Sequence, residues 1–210
     1  SYAVYLAKQS KKVVYISFDN FGSTENYFSG EGQFGTSDVI FALKSKKANL
    51  ALKLESYVKQ DSRGVYFFSP AKFAMDMLEF KHDERIQLIN ELKLMGSYDH
   101  MIIDVDFGLD KNHFDFYKLA HNVVMVSDGS LISNTKMLNA CSAITTIDHN
   151  QDVPVANRFN VLYNRFSSKT GSVLEEGAFR NVGGFPVYAQ ATIDQIIAQL
   201  SNNTVFEKLD

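Results

Sequence analysis

The sequence has one cysteine and no long apolar run. The single thiol, Cys141, excludes an internal disulfide, and no cluster of Cys and His has the spacing of a zinc site. No apolar stretch approaches the roughly 18 residues that cross a bilayer, and the N-terminus lacks the basic and apolar regions of a signal peptide. We therefore predict a soluble protein of a reducing, cytoplasmic compartment without a transmembrane segment.

The charge balance and length are those of an ordinary globular protein. The formal net charge of −3 gives no electrostatic reason to expect strong nucleic-acid binding. A chain of 210 residues with 45% hydrophobic and 21% charged residues can bury a sizeable core. We expect a single domain over residues 1–210.

A short apolar run that ends in carboxylates is the most informative stretch of the chain. It reads YDHMIIDVDFG over residues 98–108 and has the length of a buried strand. Asp104 closes the apolar part, and Asp106 and Gly108 follow it. In a parallel sheet Asp104 would lie at the carboxyl end of its strand, where open α/β sheets bind ligands.

The remaining sequence alternates between strand and helix patterns. Further strands are predicted at 13–18, 65–68, 122–127 and 159–164. One helix is predicted to begin at a cap formed by Ser37-Asp38, and a helical stretch at 72–95 is predicted to break near His82-Asp83. Further helices are predicted at 49–58, 110–120, 134–147 and 192–200. The glycine-rich stretch 20–36 is predicted to be a mobile surface loop. This alternation predicts an α/β fold, a mostly parallel sheet with helices on both faces.

Three of the predicted strands end in residues that suit a nucleotide. Asp19 follows the first strand, Asp104 ends the strand described above, and Asn164 with Arg165 ends a later one. Because the carboxyl ends of parallel strands share one edge, we expect these residues to converge there. An apolar strand that ends in Asp is the form of a Walker B carboxylate, which holds Mg²⁺ beside nucleotide phosphates.

These stretches resemble the MinD/ParA-type ATPases, which are SIMIBI-class P-loop proteins with a deviant Walker A loop. The run KKVVYISFD at 11–19, followed by a glycine-rich loop, is similar to the region after their P-loop. The run DNFG at 19–22, with TSDVI at 36–40, is most similar to the CpaE-like pilus-assembly branch. Residues 98–104 resemble the Walker B strand, and Phe107-Gly108 resembles switch II.

The resemblance implies a P-loop NTPase-like three-layer αβα fold that binds ATP and Mg²⁺. It assigns to Asp19 the orientation or activation of the attacking water, and to Asp104 the metal. VLYNR at 161–165 resembles the strand whose Asn reads the adenine edge, and GFP at 184–186 resembles the loop that closes over the base. The nucleotide contacts that it implies are the γ-phosphate-sensing amide of Gly108, the adenine-binding Asn164, Arg165 and Pro186.

The same resemblance implies a cellular role. Proteins of this class form ATP-dependent homodimers and hydrolyse ATP slowly under the control of a protein partner. The implied process is the positioning or assembly of a cell-surface or secretion apparatus. The implied location is the cytoplasm, with any membrane association made through a partner.

The sequence departs from the family pattern at its phosphate-binding end. No G-x-x-x-x-G-K-S/T pattern occurs in the 210 residues, and the chain opens inside the helix that would follow the Walker A loop. We expect that the first strand and this loop were cut from the chain rather than lost in a degenerate relative, and ATPase activity depends on an intact loop upstream. Ser17 replaces a common acidic residue, and Asp106 stands where proline is frequent.

Other functions remain open at this point. A non-catalytic scaffold would keep the fold without hydrolysis, and an apolar strand ending in Asp104 also resembles the phosphoacceptor strand of a receiver domain. Asp104-Val105-Asp106 could be the D-x-D of a nucleotide-sugar transferase, in which case Asp106→Ala would abolish metal-dependent binding of the sugar nucleotide. His113 lies near Asp110 and Asp115, but this grouping is typical of a helix surface rather than of a metal site.

Overall fold

The strands form where the sequence is richest in β-branched and aromatic residues. A computed structural model describes residues 1–45, 49–149, 152–174 and 179–209. The strands are β1 (Val13–Ser17), β2 (Lys59–Gln60), β3 (Val65–Phe67), β4 (His100–Asp104), β5 (Val123–Ser127), β6 (Phe159–Phe166) and β7 (Arg180–Pro186). The helices are α1 (Tyr2–Lys8), α2 (Thr36–Lys44), α3 (Leu50–Tyr57), α4 (Ala74–Glu79), α5 (His82–Met95), α6 (Lys111–Leu119), α7 (Leu131–Asp148) and α8 (Ile193–Leu200).

The chain divides into two compact units. One comprises Ser1–Phe107 and Ile193–Ser201, and the other comprises Gly108–Thr192 and Asn202–Asp210. That residues 1–210 act as a single domain stays a prediction. No helix in the described part of the chain is both long and apolar enough to pass through a membrane.

The first unit is built on a four-stranded sheet in the order β2-β3-β1-β4. β1 lies between β3 and β4 and runs parallel to both, whereas the short β2 runs antiparallel to β3. Val13 and Val14 in β1 are completely buried, as is expected of a central strand. β4 is an edge strand, and its apolar residues Met101, Ile102 and Ile103 are only partly buried.

The start of α2 differs from the sequence prediction. Ser37-Asp38 is predicted to cap this helix, but the helix begins at Thr36 and its N-cap is Gly35. Asp38 lies one turn inside and its Oδ2 accepts a hydrogen bond from the Gly35 N–H at 3.0 Å. Glycine has no side chain that could cap the helix, so the carboxylate inside the first turn satisfies the free backbone N–H instead.

The second unit contains a three-stranded parallel sheet in the order β5-β6-β7. α6 and α7 contribute Phe114, Tyr117 and Ile144 to an apolar cluster that also includes Val155 and Phe159. β7 was not predicted, and the interpretation of residues 184–186 as a loop is wrong because they form the end of this strand. Paired glycines and a proline are typical of loops. This composition is why the sequence did not predict a strand here.

Close packing explains why β7 carries glycine at its centre. Gly184 is paired with Tyr163 of β6, and a Cβ at residue 184 would lie 2.5 Å from the Tyr163 Cβ. This separation is too short for two carbon atoms, and a side chain would push the strands apart. The glycine therefore permits the pairing rather than breaking the strand.

The substitution Gly184→Ala tests this packing. We expect it to lower the free energy of unfolding by about 1–3 kcal/mol, the usual cost of overpacking. Gly22→Ala is the matched control, because a Cβ there meets its nearest neighbour at 3.8 Å, an ordinary contact. Urea unfolding followed by circular dichroism measures both variants, and equal stabilities would contradict the strand assignment.

Candidate functional site

Two carboxylates lie at the carboxyl ends of adjacent parallel strands in the first unit. The register of β1 and β4 pairs Ser17 with Asp104. The ladder continues one residue further, since the Phe18 N–H donates to the Asp104 carbonyl at 2.8 Å. Asp19 follows immediately. The structure therefore brings the predicted catalytic residue Asp19 and the predicted metal ligand Asp104 to the same edge of this sheet. Asn164 and Arg165 belong to a strand of the other sheet, and their convergence with these carboxylates stays a prediction.

The Asp104 carboxylate has a partner that the sequence did not reveal. The hydroxyl of Tyr15 donates a hydrogen bond to Asp104 Oδ2 at 2.6 Å. Burial raises the pKa of Tyr15 far above its ordinary value, and the hydrogen bond to Asp104 raises this pKa further. The phenol therefore stays protonated and remains a donor at physiological pH.

The donor set around Asp104 fits Mg²⁺ shared with a nucleotide. Within residues 1–45, 49–149, 152–174 and 179–209, no group of three or more His, Cys, Asp or Glu side chains could hold a metal by itself. Mg²⁺ is usually bound through one or two carboxylates, water and substrate phosphates rather than by an all-protein cage. Asp104 is exposed and has an oxygen besides the one that Tyr15 contacts. Its carboxylate can supply such a ligand.

Asp19 is held in a tight turn beside a cavity. Its Oδ1 accepts a hydrogen bond from the Phe21 N–H at 2.9 Å, and its own N–H points to Ser17 Oγ at 3.3 Å. Ser17, which replaces an acidic residue of the family pattern, thus contributes to the turn. Asp19 and Thr36 are among the residues that line a cavity of about 260 Å³. Asp104 does not line this cavity, so the cavity by itself does not mark the metal position.

Arg85 of α5 fixes the backbone on which Asp19 sits, and no sequence signal pointed to it. Its guanidinium lies 5.4 Å from the ring centres of both Phe18 and Phe80 and donates to the Phe18 carbonyl at 3.4 Å. Burial lowers the pKa of Arg85, and the charge of Asp106 opposes this shift. Asp106, the second carboxylate after β4, therefore interacts with the charge of this guanidinium.

The loop over residues 20–36 is anchored at two points. Phe28 is buried, and its ring packs against Tyr15 with 5.3 Å between the ring centres. The Ser29 N–H donates to Asp61 Oδ2 at 3.1 Å, and Asp61 is buried in an ion pair with Arg63 at 2.8 Å. Although glycine-rich, the loop therefore makes contacts with the body of its own unit.

In the second unit, Gly108 packs tightly against α6. Its carbonyl accepts a hydrogen bond from the Tyr117 hydroxyl at 2.9 Å, and a Cβ at this position would lie 2.3 Å from His113 Cε1. Asp110 caps α6, and its Oδ1 lies 3.0 Å from His113 Nδ1. Hydrogen bonds from His113 lower the pKa of Asp110. Asp110 and His113 thus form a helix cap rather than a metal site.

The predicted adenine-binding residues lie at the end of the second sheet. Asn164 and Arg165 are exposed near the end of β6, where the pairing with β7 is irregular. Arg165 has a φ of 57°, in the left-handed region that non-glycine residues rarely adopt. Pro186 ends β7 and is paired with Phe166. Asn164, Arg165 and Pro186 therefore share one edge of this sheet.

Comparison with known proteins gives matches among solved structures. No protein-family model matches the chain, and no curated protein matches it. A ParA family ATPase from Chlorobium tepidum is 17% identical with a TM-score of 0.67, over 99% of this chain and 89% of that one. MinD from Pyrococcus horikoshii in complex with Mg-ADP is 16% identical with a TM-score of 0.65, over 95% and 76%. The Aquifex aeolicus MinC:MinD complex gives 15% identity and a TM-score of 0.59, over 98% and 84%.

The chain has the fold of the ParA and MinD ATPases. This confirms the predicted fold class, a three-layer α/β fold with mostly parallel strands and flanking helices. The identity is too low to decide between branches, and the CpaE-like assignment stays a prediction.

The anchor of the loop at Asp61 predicts a pH dependence of stability. Burial alone would raise the pKa of Asp61, but hydrogen bonds from Arg63 and Ser29 outweigh it, and the net shift is downward from 3.8. A carboxylate with a lowered folded-state pKa stabilises the protein above its unfolded pKa, and this stabilisation is lost as the pH falls through the folded pKa. We expect the wild-type stability to decline below about pH 4.

Asp61→Asn tests this anchor. We expect the variant to lose about 1–3 kcal/mol at pH 7, because Arg63 loses a charged partner, and to show a shallower decline in acid. Asp194→Asn is the control, because Asp194 contacts the same Arg63 at 3.5 Å but its side chain is 87% exposed. Urea midpoints between pH 7 and pH 2.5 measure both effects. Identical acid profiles of Asp61→Asn and wild type would contradict the prediction.

Proposed function

We propose that the protein is an ATP-dependent switch ATPase of the MinD/ParA class. It binds ATP and Mg²⁺ at the carboxyl ends of its strands, forms a homodimer in the ATP state and hydrolyses ATP slowly. The observation that carries the proposal is the placement of Asp19 and Asp104 on the ends of adjacent parallel strands in a fold shared with ParA and MinD ATPases.

In this proposal the two carboxylates have separate tasks. Asp104 contributes an oxygen ligand to the Mg²⁺ that neutralises the phosphates, and Asp19 orients the attacking water. Phosphoryl transfer depends mainly on positioning and on charge stabilisation, and both carboxylates are held by hydrogen bonds before any ligand arrives. When bound, Mg²⁺ supplies the Lewis-acid contact to the phosphate oxygens.

The remaining nucleotide contacts are proposed for the second unit. The Gly108 amide would sense the γ-phosphate, and its fixed backbone next to Tyr117 supports this role. The exposed Asn164 side chain offers both a donor and an acceptor to an adenine edge. Arg165 and Pro186 would complete the base-binding end.

The phosphate cradle requires a strand and loop that the 210 residues do not supply. β4 pairs with β1 alone among the described strands, and its apolar residues Met101, Ile102 and Ile103 are only partly buried. Such an edge favours pairing with a further strand. We propose that the strand leading into the Walker A loop pairs there, which would bring the loop next to Asp104.

The proposed setting is the cytoplasm, and the proposed partner is another protein. One structural neighbour is a MinD in complex with MinC. By analogy, we propose that a protein partner regulates this chain during the positioning or assembly of a surface or secretion apparatus. Any membrane association would be made through that partner.

Nucleotide-dependent dimerisation of the full-length gene product tests the proposal. Its mass is measured by analytical ultracentrifugation with Mg-ATP, with Mg-ADP and without nucleotide. We expect a dimer only with Mg-ATP. Asp19→Ala should bind ATP and accumulate as a dimer, because its hydrolysis rate falls by at least about tenfold, an increase of about 1.4 kcal/mol in the barrier.

Asp106→Ala is the matched control, because it removes a carboxylate from the same edge without touching a proposed ligand. It should leave ATP binding largely intact, whereas the D-x-D interpretation expects the loss of metal-dependent binding of a sugar nucleotide. A folded protein that stays monomeric with and without Mg-ATP would reject the switch. The lack of a Walker A pattern in the 210 residues would then favour the non-catalytic scaffold.

A further inference from the structure

The Tyr15 hydroxyl donates a hydrogen bond to the Asp104 carboxylate. Tyr15 is paired with Ile102 across β1 and β4, and Asp104 lies two residues further along β4, on the same face of the sheet. This diagonal arrangement lets the phenol reach Asp104 Oδ2 at 2.6 Å. The distance is that of a strong hydrogen bond between a hydroxyl and a charged carboxylate.

We propose that Tyr15 is a positioning residue for the metal ligand Asp104. Its hydroxyl holds Oδ2 and thereby directs Oδ1 toward the Mg²⁺ of a bound nucleotide. This inference rests on the proposed function, in which Asp104 serves Mg²⁺. It assigns a role to a strand residue that neither the sequence pattern nor the similarity of fold indicated.

Packing fixes the Tyr15 ring. Little side-chain conformational entropy of Tyr15 is therefore lost when its hydroxyl holds the Asp104 carboxylate. The ring centre lies 5.3 Å from that of Phe28, which lies 5.5 Å from that of Phe67 in β3. Phe28 and Phe67 are both buried. A donor held in place by its surroundings orients a carboxylate better than a mobile side chain or water does.

The same packing joins Asp104 to the loop over residues 20–36. Phe28 belongs to this loop, and its ring contacts the residue that holds the carboxylate. Asp19 precedes the loop directly. Asp19 is therefore connected to Phe28 through the backbone of the loop, and Phe28 is connected to Asp104 through its contact with Tyr15.

The opposite role makes a different prediction. If the phenol competed with the metal for the carboxylate, its removal would tighten metal binding. If it positions the carboxylate, its removal weakens metal binding. Outer-shell partners of metal ligands typically change metal affinity by about 10- to 100-fold, and a neutral donor to one oxygen belongs at the lower end of that range.

Mn²⁺ binding in the presence of ADP separates these roles. The full-length protein is titrated with Mn²⁺ and followed by electron paramagnetic resonance. We expect Tyr15→Phe, which keeps the ring and removes only the hydroxyl, to weaken Mn²⁺ binding by about tenfold. Tyr66→Phe on the neighbouring strand β3 is the matched control and should stay within about twofold. Asp104→Asn marks the loss of the ligand itself.

Two further readouts exclude a merely structural effect. The metal-free affinity for ADP, measured in EDTA, should be unchanged in Tyr15→Phe, and excess Mn²⁺ should restore full occupancy. Mn²⁺ affinity in Tyr15→Phe that is equal to or tighter than wild type, with binding lost in Asp104→Asn, would overturn the role of Tyr15 and leave the proposed function standing. No nucleotide-dependent Mn²⁺ binding by the wild type would overturn both.

Discussion

The parallel pairing of β1 with β4 is the interaction on which the site depends. Its register aligns Ser17 with Asp104 and extends by one more bond to Phe18. A shift by one residue would turn every side chain of the strand to the other face of the sheet. It would also move Tyr15 away from Asp104. The apolar character of β1, which is buried between two neighbours, is what fixes this register.

The chain that follows β1 is held by groups from distant parts of the same unit. Arg85 binds the backbone at Phe18 from one side, and Asp61 binds Ser29 in the loop. Even a partly buried guanidinium is costly unless its donors are satisfied, and here carbonyl oxygens and two aromatic rings surround that of Arg85. The turn at Asp19 is therefore arranged before any ligand binds, as catalysis by positioning requires.

The features set by local sequence were predictable. β-branched runs marked β1, β4, β5 and β6, and Asp110 correctly marked the start of α6. The carboxylates at the strand ends followed from the same patterns, because topology alone places the ends of parallel strands at one edge.

The features set by tertiary packing were not predictable. The strand β7 has loop-like composition and is stable because Gly184 lets it approach Tyr163. The N-cap of α2 is Gly35, whose N–H donates to the Asp38 carboxylate inside the first turn. Tyr15 is a residue type that is common in buried strands. Asp104 is 89 residues away in sequence, and the contact between the two depends on the register of β1 with β4. Arg85 has no neighbour in sequence that reveals its role.

We propose that the ends of β1 and β4 hold the metal of a nucleotide complex. With ATP, ascorbate and hydrogen peroxide, Fe²⁺ bound in place of Mg²⁺ reduces the peroxide to hydroxyl radicals that cleave the backbone close to the metal. We expect ATP-dependent cleavage of the full-length protein near residues 17–20 and 104–106. Cleavage confined to other segments, or cleavage that does not depend on ATP, would contradict it.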